Sequence, residues 1–258
     1  MDHIILSPIV PADPPIEVQI EELATRYRNA RGVGLKLLGT LGAQADGLLD
    51  HLPDTAREGL DAATLKALEF SFEAAAVSRN AAPDASHWMT RAVTMGTGAA
   101  GGFGGFASSL AELPLTTTVI LRAIQGIANE HGFDPSHPDT RAECLQVFAS
   151  AGPLAEDDST DLSFLTLRAS VTGVTLHTMI KTISPKLAVV LGQKLAAQMV
   201  PVLGAVTGAA INYSFTSYYQ EMAHVSFGLR KLAEETGSDR AALVELFRAE
   251  IFGKLSDR

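Results

Sequence analysis

Five polar side chains interrupt two otherwise apolar stretches of this chain, and their types suit proton chemistry: Glu112, Arg122, Asn212, Glu221 and His224. Glu112 and Arg122 are the only charges between Ala92 and Ala128. Ten residues separate them, too far for a pair along one helix, where partners stand three or four apart. Each must reach solvent or a partner elsewhere, because an unpaired buried charge is costly. Glu221 and His224 are an i,i+3 pair, with Asn212 about three turns before them. Brought together, the five have the ingredients of a carboxylate–imidazole site. The same residues would serve equally as a structural buried network, with no substrate at all.

Other signatures are thinner. The histidines are His3, His51, His87, His131, His137, His177 and His224, and no HxH, HExxH or HxxE pattern occurs among them. His131, Asp134, His137 and Asp139 crowd one short segment, where a surface metal site competes with turn and cap chemistry around two prolines. No metal ligand set and no cofactor is expected. Cys144 stands mid-helix beside Leu145 and Val147, as a small buried hydrophobe does, whereas a catalytic Cys needs a pKa lowered by a cationic neighbour or a helix N-terminus. GxSxG is absent. GTGAAG, Gly96–Gly101, superficially suggests a dinucleotide loop, but no βαβ unit surrounds it and no P-loop Lys-Ser/Thr follows.

The elements that must position these residues are helices. The 258-residue chain is 47% hydrophobic, rich in Ala, Leu and Val and only 6% aromatic, which favours helix over sheet. Proline clusters make residues 1–15 an extended arm, without the basic start or long apolar run of a secretory signal. Pro15 to Asp50 reads as one long helix or a broken pair, with Ile16, Ile20, Leu23 and Tyr27 on a stripe. Pro53–Asp54 starts a helix to about Asn80, and Ser86 can cap the next one. Pro114 is expected to open a new helix ending at Gly132, and Pro138 and Asp139 another ending at Gly152–Pro153. AEDDSTD, residues 155–161, is an acidic loop. Helices over Leu162–Ile183, Pro185–Met199 and Pro201–Thr236 follow, and Ser238 caps a last one with Leu243, Leu246, Phe247 and Ile251 on one face. The expectation is an all-α fold of about nine or ten helices, with residues 16–258 as a single domain.

Two of these segments are unusual. Met95–Leu121 and Leu195–Tyr219 are rich in small residues and put Gly four apart, at Gly98/Gly102, Gly101/Gly105 and Gly204/Gly208. That spacing makes a groove into which another backbone can fit, in a packed helical core or in a membrane. Ala92–Ala111 is uncharged and matches the roughly 20 residues a span needs, but it is only weakly hydrophobic. Burial in protein or reversible membrane contact is the expectation. The net charge of −9 argues against a nucleic-acid partner.

The segment ELPLTTTVILRAIQGIANEHGFDP, Glu112–Pro135, resembles the (D/E)LP…LR.I..IA..YG.D pattern of the EcsC family of bacterial proteins. VPVLGAVTGAAINYSFT, Val200–Thr216, followed by EMAHVSFGLRKL, is similar to that family's second block. His131 stands where an aromatic is usual, and Glu112 for the commoner Asp. The family takes its name from an operon with an ABC transporter and supplies no accepted catalytic residues. The two low-charge glycine-spaced runs and the lack of a catalytic signature lead to the expectation of a helical, non-enzymatic cytoplasmic protein at or near the inner membrane face, with a lipid or membrane-protein partner; the resemblance adds the expectation of a transporter accessory. The alternative is a hydrolase or a small-ligand or lipid-binding protein using the five polar residues. Similarity to a staphylolytic zinc protease, a label some members carry, does not transfer, because the HxH and H…D ligand patterns are missing.

Overall fold

The computed structural model describes residues 14–41, 54–81, 86–103, 105–150, 152–154, 162, 165, 176–199 and 205–253. Among these residues there are eight helices and no strand. They are α1 (Ile16–Leu41), α2 (Asp54–Ala81), α3 (His87–Phe103), α4 (Gly105–Glu130), α5 (Pro138–Phe148), α6 (Leu176–Met199), α7 (Ala205–Thr236) and α8 (Arg240–Gly253). The all-α expectation holds. The arm before Pro14, the acidic loop, Gly204 and most of Leu162–His177 lie outside the described residues.

Two of the expected helix starts are not starts. Pro114 and Pro185 were expected to open helices, and both lie inside one, α4 and α6. An interior proline removes one backbone hydrogen bond, at a cost of about 3 kcal/mol. Packing on both sides of each offsets it: Leu113, Thr116 and Thr117 are buried around Pro114, and Ser184, Leu187 and Ala188 around Pro185. α1 likewise continues unbroken through Gly32, Gly34 and Gly39.

The helix ends follow local chemistry. Gly132 and Gly237 close α4 and α7 with φ of 89° and 66°, conformations that glycine reaches without strain. Pro138 opens α5, and the His137 side chain caps it by accepting from the Asp139 N–H. α8 departs from expectation. Asp239, not Ser238, caps it, accepting from the Ala241 N–H at 3.3 Å. Ser238 instead bonds Thr236 Oγ1. On α8, Leu243, Phe247 and Ile251 are buried with Val244, while Leu246 is exposed.

α7 is the central element, packed against α1, α3, α4, α5, α6 and α8. Its aromatic residues anchor the core, with Tyr219 against Phe148 at 4.9 Å and Phe227 against Phe133 at 5.8 Å between ring centroids. Beside them the buried Glu143 fastens three helices. It accepts from Ser226 on α7 at 2.6 Å, from Arg230 on α7 at 3.3 Å and from Arg240 on α8 at 2.6 Å.

α3 is built differently. Among the described residues it contributes no side chain to the apolar core. Its buried positions are Thr90, Thr94, Gly98 and Gly101, at helical spacing. Its outward positions are Trp88, Met89, Val93 and Met95, exposed by 72%, 50%, 48% and 40%. At the buried side a Cβ on Gly98 would overlap the Gly208 carbonyl oxygen and come within 2.7 Å of Asn212 Nδ2. The backbones of α3 and α7 therefore touch at that point. No described helix is long and apolar enough to cross a membrane.

Candidate functional site

α7 carries polar residues at two levels, and the five candidates divide between them and a third place. At the first level Asn212 lies between α3 and α4. Its Nδ2 donates to Thr94 O at 2.8 Å and to Glu112 Oε1 at 2.5 Å. Thr116 Oγ1, one turn along α4, also donates to Glu112. Lys194 on α6 approaches Glu112 Oε1 and Oε2 at 3.4 and 3.5 Å. Thr216 Oγ1 donates to Thr94 Oγ1 at 2.8 Å, next to the Gly98–Gly208 approach. Glu112, Lys194 and Asn212 are all buried. Burial pushes the Lys194 amine down, and the Glu112 carboxylate opposes it. This is a buried polar network between helices, in which Asn212 Nδ2 is shared among several acceptors while Asn212 Oδ1 has no hydrogen-bond partner among the described residues.

The second level lies at the solvent edge. Glu221 accepts from Arg26 on α1 at 2.8 Å and from Arg91 on α3 at 3.4 Å. Arg91 Nε also donates to Gln220 at 2.6 Å. One turn on, His224 Nδ1 lies 3.1 Å from His131 Nε2. The His87 ring is 5.1 Å from that of His224, centroid to centroid. His87 Nε2 is in turn 3.0 Å from Glu130 Oε1. His87, Glu130 and His224 each bring one ligand-capable atom within 4.8 Å of the others.

Burial, followed by Arg26 and the neighbouring His131, His87 and Arg91, pushes the His224 imidazole down to about 3. Burial and Lys231 push His131 down as well. Both rings are neutral at physiological pH. Two clefts flank the cluster. One of about 290 Å³ is lined by Gln19, Arg26, His131, His224 and Lys231. The other, of about 140 Å³, is lined by His87, Thr90, Arg122 and Glu130.

The five residues therefore do not form one site. Glu112 and Asn212 meet in the core, Glu221 and His224 meet at the edge, and Arg122 lines the smaller cleft. Asn212 and Glu221 are nine residues apart on one helix, which is about 14 Å at 1.5 Å per residue. The crowded 131–139 segment also separates. Asp134 holds the Ser136 turn and His137 caps α5, and only His131 turns toward another histidine. GTGAAG lies within α3, so its amides are not the free N–H groups of a phosphate loop.

Neither His87 nor Glu130 is among the five candidates picked out in the sequence. They are 43 residues apart, and His131 and His224 are 93 apart, so no local motif could reveal them. The available signal was positional: His87 is the first residue of α3 and Glu130 the last of α4, adjacent ends of two packed helices.

The model of the EcsC protein family matches residues 56–232, about two thirds of the chain. The chain belongs to the EcsC protein family. No curated protein and no solved structure matches it. In this EcsC protein the matched segment holds α3, α4, α5 and α6 entire, with Glu112, Asn212, His87, Glu130, His131 and His224. Arg26, on α1, and Arg240, on α8, lie outside it.

Proposed function

We propose that this EcsC protein is a non-enzymatic binding protein that docks reversibly on the cytoplasmic membrane surface through the outer face of α3. The observation that supports this reading is the inversion of that helix. A surface helix of a globular protein ordinarily turns apolar residues inward and polar ones outward. α3 turns Thr90 and Thr94 inward and Trp88, Met89, Val93 and Met95 outward. The outward face carries no charge. Tryptophan at the end of such a face suits the lipid headgroup level.

The magnitude fits a reversible contact. Full burial of one such side chain stabilises by about 1.5–3 kcal/mol. These four are roughly half exposed, so the face contributes about 4 kcal/mol, equivalent to a millimolar dissociation constant. The acidic chain has no net attraction to anionic lipid. A role beside a transporter has no residue of its own to argue from, so the proposal is confined to lipid.

Trp88 is the only tryptophan, which makes its emission a direct reporter. With phosphatidylcholine vesicles the emission is expected to move to shorter wavelength, and the protein to float with the lipid. Val93→Asp is expected to abolish both. Adding phosphatidylglycerol to the vesicles is expected to bring no gain. Unchanged emission together with protein left at the bottom of the gradient, for both vesicle types, would overturn the reading.

A further inference from the structure

We propose that His87, Glu130 and His224 form a binding site for a divalent transition-metal cation of the zinc class, with His131 orienting His224. Two imidazoles and one carboxylate are a recurrent donor set for such ions, and a soft-to-borderline nitrogen pair selects them over magnesium and calcium. The three residues come from the start of α3, the end of α4 and the middle of α7. Each offers one donor atom within 4.8 Å of the other two. Tetrahedral coordination with bonds of about 2.0–2.1 Å needs donor atoms about 3.3 Å apart. His87 and Glu130 already stand at 3.0 Å, and their side chains are 36% and 50% exposed, so they are free to close on a cation.

The surroundings supply what a ligand histidine requires. Metal-bound histidines hold their second ring nitrogen on an acceptor, which fixes the tautomer. With the His224 proton on Nδ1, His131 Nε2 at 3.1 Å is that acceptor and His224 Nε2 keeps its lone pair for the metal. Gln220 Nε2 donates to the His87 carbonyl at 3.3 Å and holds the backbone of the first ligand. Arg26 and Arg91 oppose a cation at His224 and both are engaged by Glu221, while Lys231 stands beside His131 and Arg122 lines the cleft of His87 and Glu130. His87 and Glu130 line the 140 Å³ cleft, which has room for a water as fourth ligand.

The test uses the full chain, dialysed against chelator and then titrated with zinc chloride, and separately with cobalt chloride, without lipid. Expected are one zinc per chain and a visible cobalt absorption band of low-symmetry, four-coordinate type. His87→Asn and Glu130→Gln, both at accessible positions that leave the core intact, are expected to weaken zinc binding at least tenfold and remove the band. His131→Phe is expected to weaken it by about 10–100-fold through its orienting role. His177→Asn, at an exposed histidine paired with Glu69, is expected to change nothing. No zinc uptake by the wild type overturns the proposal. So does equal uptake by His87→Asn and Glu130→Gln, or a loss in His177→Asn as large as in them. The readout needs no vesicle, so its failure is separate from failure of membrane docking.

Discussion

At the residue scale, the behaviour of His224 follows from where α7 places it. Burial and the Arg26 guanidinium depress its imidazole to about 3, against about 6.5 in an unfolded chain. The sign follows directly. Between these values the unfolded chain binds a proton that the folded protein does not. The stability is therefore complete above about pH 6.5 and is lost as pH falls from there toward 3. At about pH 5.5 one such group costs about 1.4 kcal/mol, and the depressed His131 acts in the same direction. Urea unfolding with chelator present, at about pH 7.5 and about pH 5.5, measures the difference. His224→Gln is expected to shrink it by about 1 kcal/mol; an undiminished difference would assign it to other groups. Single residues were also the most legible in the sequence where their effect is local. Gly132, Gly237, Pro138 and Cys144 do what their chemistry implies, because each acts within one turn of itself.

At the scale of elements, helix number was less legible than helix content. Pro114 and Pro185 look like starts because sequence shows the lost hydrogen bond but not the neighbours that offset it. The glycine spacing was more informative at one place than as a pattern. Gly98 faces the Gly208 carbonyl directly, whereas Gly96, two residues earlier on α3, meets nothing within 4 Å. The two positions predict opposite outcomes. Gly98→Ala forces a Cβ against backbone and is expected to cost about 3 kcal/mol. Gly96→Ala is expected to stabilise by about 0.5–1 kcal/mol, because alanine loses less backbone entropy in a helix. Thermal unfolding of the pair, compared with wild type, checks both signs. A neutral Gly98→Ala would refute the close approach of α3 and α7.

At the scale of the molecule, the two polar levels of α7 show what a one-dimensional reading leaves out. The five candidates were picked for standing inside apolar stretches, and that criterion does find groups with partners: Glu112 has Lys194, Asn212 and Thr116, and Glu221 has two arginines. It cannot find which partner, since Lys194, Arg26, Arg91 and His87 arrive from other helices by packing alone. The family match covers α4 and most of α7, the helices that carry Glu112 and Asn212. The seam between α3 and α7 has one more consequence. Thr90, Thr94, Thr97 and Gly98 face Gly208, Asn212, Thr216 and Gln220, so hydroxyls, amides and bare backbone meet across it. Each such bond contributes only about 1 kcal/mol net, because water offers replacements once the seam parts. α7 is also held by five other helices, while α3 brings no apolar side chain to the core among the described residues. Amide protons of α3 should accordingly exchange with solvent deuterium well before those of α7, a ranking that mass-spectrometric exchange reads directly. Among the described helices α3 is thus the one that can lift from α7 and leave the apolar core of the others assembled.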